Sequence, residues 1–333
     1  MEPSDHSVTG EFLPVHLAVL QPGTLAPVDL YLGFDTPRRY TLYRSARTPF
    51  TEEVRQRLVE RGVGLLYVRR EDEDAYVGYV VENLPRILRD ELLPPRRACE
   101  LVFNTSTRVM RAVFDDPRSG RNLDRVKDVV SAAVFSIMRS PDAIWDMASL
   151  AAHDYHTYTH SVQVSVFLIA TAKELLEVRD STLLERIGYG GMLHDIGKSR
   201  IPEEILHKPD KLTEEEFEQV KAHPLLGLEM IERYRKIAAT TAAIVRSHHE
   251  RFDGRGYPDG LAGQTIRPVA RLAKIVDVYD ALTTNRPYAS ARTTFQALNV
   301  MTAMEGHFDP ALLRGFVKFL GPRPEPAPLS GEQ

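Results

Sequence analysis

Histidine placement constrains this chain more than any other sequence feature. Eight of its eleven histidines (His153, His156, His160, His194, His207, His223, His248 and His249) fall between positions 153 and 249. An imidazole inside a fold needs polar partners for both ring nitrogens. A segment this rich in histidine must therefore carry them to the surface or bring them together around protons or metal ions. The pattern around them is helical. From Leu101 to Phe114, Val126 to Met138 and on to about Leu320, apolar residues recur at three- and four-residue intervals, with loops at Gly/Pro clusters.

The region before Pro94-Pro95 has a different texture. Leu13–Leu20, Val28–Phe34, Arg39–Tyr43 and Leu65–Val68 read as short strands punctuated by Pro22-Gly23 and Thr36-Pro37. Thr51 followed by Glu52 and Glu53 predicts the start of a helix to about Arg61. Tyr76, Tyr79, Val80 and Leu84 predict a second helix. The fold class expected is mainly α: an all-helical domain over 145–320 preceded by a small α+β regulatory or interaction module over 1–95. Residues 96–144 are expected as a helical connector, and 321–333 as a Pro-rich disordered tail.

Composition excludes several functions. Forty-two Lys+Arg against 46 Asp+Glu give a formal net charge of −4, so no broad basic surface exists for a nucleic-acid polymer. The most apolar run, Val164–Ala172, is too short to insert across a bilayer. Cys99 stands alone, which rules out a disulfide framework and suits a reducing compartment. The N-terminus MEPSDHSVTGEF has neither the basic start nor the apolar stretch of a secretion signal. A cytoplasmic location is the expectation.

The chemistry is carried by an ordered set of His and Asp residues. On a helix, His153, His156 and His160 are spaced three and four apart and share one face. One histidine there is usually a hydrogen-bonded structural residue; three on one stripe favour metal or proton chemistry. His194-Asp195 in GMLHDIGK offers an imidazole and a carboxylate that can converge only near a helix end. Taken singly, His223, before Pro224, reads slightly better as a helix N-terminal residue. The doublet His248-His249 and Asp277, which interrupts the apolar run of LAKIVDVYDAL, complete the series. A carboxylate at 277 must bind a cation or pair with an arginine such as Arg271 or Arg286.

Embedded in HDIGKSRIP, HHERFDGRGYP and DVYDALTTNRPY, this ordered series resembles the HD-GYP family of bacterial phosphodiesterases, a subgroup of the HD metal-dependent phosphohydrolases. The resemblance covers about residues 145–320. It implies hydrolysis of cyclic di-GMP to pGpG and onward to GMP by a metal-activated hydroxide. It also implies two divalent transition metals, iron or manganese, held by His160, His194, Asp195, His223, His248, His249 and Asp277. Asp195 is the carboxylate expected to bridge them. Some members hold a third metal through a Glu four residues before the first ligand histidine. Here His156 stands there, able to ligate but bringing no charge.

Lys198, close after His194, is expected to bind the substrate phosphate and assist the leaving oxygen. Arg286 is a second phosphate contact by resemblance. Asp280 shares a helix face with Asp277 and either orients a ligand or binds substrate. Tyr257, in the turn-rich Asp253-Gly-Arg-Gly-Tyr-Pro258, either stacks on a guanine or packs the loop. Glu250 and Arg251 read as a structural pair. Family members often carry a basic residue after Arg-Pro-Tyr; this chain has Ala289, with Arg292 three residues on as a substitute. The alternatives are a phosphodiesterase for another cyclic dinucleotide such as 3′,3′-cGAMP, a nucleotide-binding signalling module with little turnover, or another HD nucleotide phosphohydrolase. Diguanylate cyclases with a GGDEF motif, and a second copy of the chain, are the protein partners expected.

Overall fold

A computed structural model describes residues 11–35, 38–46, 48–140, 142–150, 157–208, 210–234, 236–285 and 291–321. It divides into two compact units at Leu150/Ala151. The first contains β1 (Phe12–His16), β2 (Leu30–Asp35), β3 (Arg38–Arg44) and β4 (Leu65–Arg69), an antiparallel sheet in the order β1-β4-β2-β3. The period-2 pattern sets the register: Leu13 lies opposite Val68 and Val15 opposite Leu66, all four buried on one face. The strand expected to run to Leu20 stops at His16. There the imidazole accepts the Ala18 N–H at 3.2 Å and starts a 3-10 turn over Leu17–Val19.

Helix α1 (Glu52–Glu60) begins at Thr51, whose hydroxyl accepts the Val54 N–H. Helix α2 (Glu73–Ile87) buries Tyr76, Tyr79, Val80 and Leu84, the four positions that predicted it. Helices α3 (Pro95–Asp115), α4 (Gly120–Arg139) and α5 (Ala143–Leu150) pack with α2 and one another. The segment read from sequence as a connector therefore lies within the first compact unit.

The second unit is helical among its described residues, with one isolated antiparallel bridge, Asp253 to Ala262, in a loop. Helix α6 (Thr157–Leu175) is buried on every side from Thr159 to Ala172, and packs against α7 (Ser181–Leu193), α12 (Pro268–Thr283) and α14 (Pro310–Phe319). Close approach is possible because α7 carries glycines at the crossing: a methyl group at Gly191 would lie 2.7 Å from Ser165 Cα. Ser165 satisfies its buried hydroxyl on the Gly188 carbonyl at 2.8 Å. Short helices α8 (Glu203–Leu206), α9 (Glu214–Lys221), α10 (His223–Tyr234) and α11 (Ala239–Ser247) follow, with α13 (Thr294–Ala303) after α12. No helix among the described residues is long and apolar enough to cross a membrane.

Candidate metal centre

Helix ends bring the ligand side chains together. His160 lies in the first turn of α6, and Asp277 lies within α12. His194 terminates α7, and Asp195 turns out of helical geometry (φ −100°, ψ 2°) into a 3-10 turn over Ile196–Arg200. That break lets adjacent side chains converge where a straight helix would splay them. His223 is the first residue of α10, and His248 caps the end of α11 with His249 beside it. His223 therefore stands at a helix N-terminus, the place that Pro224 after it had suggested.

Two groups of candidate ligand atoms result. Asp195, His223, His248 and His249 form one; His160, His194 and Asp277 form the other; within each, all ligand atoms lie within 4.8 Å of one another. Asp195 faces both. Its Oδ1 is 3.2 Å from His223 Nε2 and 3.8 Å from His248 Nε2. Its Oδ2 is 3.5 Å from His194 Nε2 and 3.8 Å from His160 Nε2. Asp277 Oδ1 lies 3.2 Å from His160 Nε2 and 3.9 Å from His194 Nε2. The alternative partner Arg271 is instead bonded to Asp309.

Backbone and carboxylate acceptors orient the imidazoles. His194 Nδ1 donates to Gly191 O at 2.8 Å, His223 Nδ1 to Val220 O at 2.7 Å, and His248 Nδ1 to Val245 O at 3.0 Å. His160 Nδ1 donates to Asp280 Oδ2 at 2.5 Å. Each acceptor requires the proton on Nδ1, so each Nε2 turns its lone pair or its titratable position inward. Asp280 is fully buried in this role. Of the two roles its helix position had suggested, the orienting one is present: Asp280 Oδ2 holds His160.

Electrostatics suit cations. Burial pushes the His248 and His249 imidazoles well below the usual histidine range, with neighbouring histidines adding to the effect. Burial also lowers His194. These rings are neutral and free to donate lone pairs. Burial would raise the Asp195 carboxyl, but Lys198 and the surrounding imidazoles hold it well below the carboxylate range. Asp277 is likewise held low against its burial, through His160. Burial would lower His160, but Asp277 and Asp280 draw it well above the ordinary value. His194 Nε2 and Asp195 Oδ1 are buried without a hydrogen-bond partner. Two unsatisfied acceptors facing each other's groups in a dry site are costly unless a cation joins them. The donor set therefore fits divalent metals on an observation of its own geometry.

Gly197 holds the halves of the centre together. A methyl group there would lie 2.0 Å from His223 O and 2.6 Å from Gly227 N, both backbone atoms of α10. We expect Gly197→Ala to push His223 away from Asp195 and to cost about 1–3 kcal/mol, the usual range for overpacking. Thermal melts with metal analysis check it: a wild-type melting point with full metal content would contradict the close-packing argument.

The remaining predicted residues divide by position. Lys198 Nζ donates to Asp195 Oδ2 at 2.6 Å, with its side chain 26% exposed. Tyr257 stacks on His249, ring centroids 4.7 Å apart at 21°, so the loop-packing role is present. The Glu250–Arg251 pair expected from sequence does not form. Arg251 forks onto Asp253 at 3.0 and 2.5 Å, and buried Glu250 accepts the Asp259 and Leu261 N–H groups at 2.7 and 3.0 Å. Glu250 thus pins the loop that brings Tyr257 to His249. Adjacency in sequence had suggested a pair; only the return of the loop reveals its acceptor role. His153, His156, Arg286 and Ala289 lie outside the described residues, and Arg292 is exposed.

Comparison with known proteins agrees with this geometry. Residues 146–312 match the family model described as HD domain. A cyclic di-GMP phosphodiesterase of Pseudomonas aeruginosa is 39% identical over 227 residues, 68% of this chain and 54% of that protein. The 3′3′-cGAMP-specific phosphodiesterase 2 of Vibrio cholerae is 40% identical over 123 residues, 36% of this chain and 24% of that protein. The chain thus spans about half the length of the first relative and about a quarter of the second. A solved structure, the HDG"Y"P protein Bd1817 of Bdellovibrio bacteriovorus, superposes with a TM-score of 0.63 over 93% of this chain and 99% of its own; at 20% identity it supports the fold. With paired His/Asp groups joined through His194-Asp195 and a Gly-Tyr-Pro loop packed on His249, this chain belongs to the HD domain family.

Proposed function

We propose that this chain is a metal-dependent phosphodiesterase that hydrolyses cyclic di-GMP to pGpG and onward to GMP. The observation that carries the reading is Asp195, whose two oxygens face separate groups of ligand atoms. A bridging carboxylate between two sets of neutral imidazoles suits a dinuclear centre for an anionic diester. The names of the P. aeruginosa and V. cholerae relatives support a cyclic dinucleotide as substrate.

Divalent ions held by His160, His194, Asp277 and Asp195 on one side, and by Asp195, His223, His248 and His249 on the other, would supply Lewis acidity and lower the pKa of water. The histidine-rich set suits iron or manganese, and the family resemblance makes His156 the candidate ligand for a third ion. Lys198 Nζ places its N–H donors beside Asp195, where they bind a phosphoryl oxygen and stabilise the leaving oxygen. Arg286 is the further phosphate contact. Any guanine stacked on Tyr257 uses the ring face turned away from His249.

The test is metal analysis of anaerobically purified protein, followed by chelation, repletion with Fe²⁺ or Mn²⁺, and a cyclic dinucleotide panel. We expect chelation to abolish hydrolysis and repletion to restore it. Metal-replete protein with no hydrolysis would sink the enzyme reading, and binding alone would favour a signalling module. The similarity to a cGAMP-specific relative supports the second reading, 3′,3′-cGAMP as substrate; the ratio of kcat/KM values decides. GGDEF-type cyclases and self-association are the partners implied by the family resemblance, and sedimentation with and without a cyclase tests them. The single cysteine supports a cytoplasmic location, testable by cell fractionation.

A further inference from the structure

Lys274 lies one helical turn before Asp277 on α12, half-buried. Its electrostatic surroundings are Asp277, Glu250 and Arg251, with His249 and His307 also within its field. Among the described residues its ammonium makes no hydrogen bond or ion pair. The nearby carboxylates are already engaged. Asp277 faces His160, Glu250 accepts two backbone N–H groups, and Asp253 takes the Arg251 fork. A partly desolvated lysine with every neighbouring carboxylate in use is costly, and a bound anion offsets that cost. Burial also pulls its ammonium below the usual lysine value, against the attraction of Asp277.

Lys198 and Lys274 approach the centre at different carboxylates. Lys198 is bonded to the bridging Asp195, whereas Lys274 lies one helical turn from Asp277 on α12. A cyclic dinucleotide carries two phosphodiesters, and only one can occupy the centre for cleavage. We propose that Lys274 binds the second phosphate of the cyclic dinucleotide, the one not being cleaved, and so favours two-phosphate over one-phosphate substrates. This rests on the cyclic dinucleotide reading above.

The experiment compares wild type, Lys274→Met and Lys274→Arg on bis(p-nitrophenyl) phosphate, which has one phosphodiester. Cyclic di-GMP is then used both as substrate and as inhibitor of that reaction. Metal content and melting temperature are measured for each protein. Loss of one charge-assisted contact predicts that Lys274→Met raises the inhibition constant of cyclic di-GMP about tenfold, with a smaller change in KM for the one-phosphate ester. Lys274→Arg should recover most of the loss. An unchanged inhibition constant overturns the proposal, as does an equal loss on both substrates or a fall in bound metal. If wild type is inhibited by cyclic di-GMP through Lys274 but does not cleave it, the substrate reading fails and the Lys274 site stands. If cyclic di-GMP neither inhibits nor is cleaved, both fail.

Discussion

Replacing Asp195 with alanine is expected to empty the metal centre and lower phosphodiester hydrolysis roughly a thousandfold, while the helical fold persists. The two oxygens of this one carboxylate face two histidine groups, so the substitution strips a ligand from both at once. It also removes the partner of Lys198. The turn itself should survive, because Lys198 N–H bonds the Asp195 main-chain carbonyl at 2.9 Å, an interaction that alanine keeps. Metal analysis and circular dichroism together check this. Full metal occupancy in the variant would remove Asp195 from its bridging role, and loss of helical signal would make it a folding residue instead.

The second large effect is expected at Asp280, which is fully buried against His160. Asp280→Ala should weaken metal binding about 10- to 100-fold, the usual consequence of losing the outer partner of a ligand histidine. Without Asp280 Oδ2, His160 Nδ1–H has no acceptor and the ring loses its fixed tautomer and orientation. Folding stability should suffer less than metal affinity. Asp280 Oδ1 is already buried and unpartnered, so its removal relieves one unsatisfied atom while creating another at His160. Asp280→Asn should fall between, since an amide oxygen can still accept the imidazole proton without carrying charge. Equal metal affinity in the alanine variant and wild type, by titration with Mn²⁺, would refute the orienting role.

Much of the fold was legible along the chain. Short apolar runs between turn signals located β1 and β4, and the helical spacing of Tyr76, Tyr79, Val80 and Leu84 located α2. The ends of β1 were less legible, because Leu17, Ala18 and Val19 are as apolar as a strand while the His16 imidazole turns the backbone instead. The types and order of the metal-facing residues were likewise readable. The role of Glu250 was misread, since its neighbour Arg251 is drawn to Asp253 and its own oxygens are filled by main-chain donors nine and eleven residues on. Lys274 carried no signal in the chain, for a lysine among apolar residues usually lies on a solvated helix face.

Taken by itself, the sequence determined that helices with these periods would form in the second half and that they would carry an ordered series of His and Asp side chains able to hold metal ions. It determined the chemistry available, because residue type sets charge and lone pairs. Tertiary structure alone decided which oxygen of Asp195 serves which histidines, which nitrogen of each imidazole faces inward, and that Asp280 is spent on His160. The physical reason is distance. Local periodicity acts over a few residues, whereas a ligand set is completed by contacts such as His160 to Asp280, 120 residues apart, set by the close packing of α6 on α7 and α12.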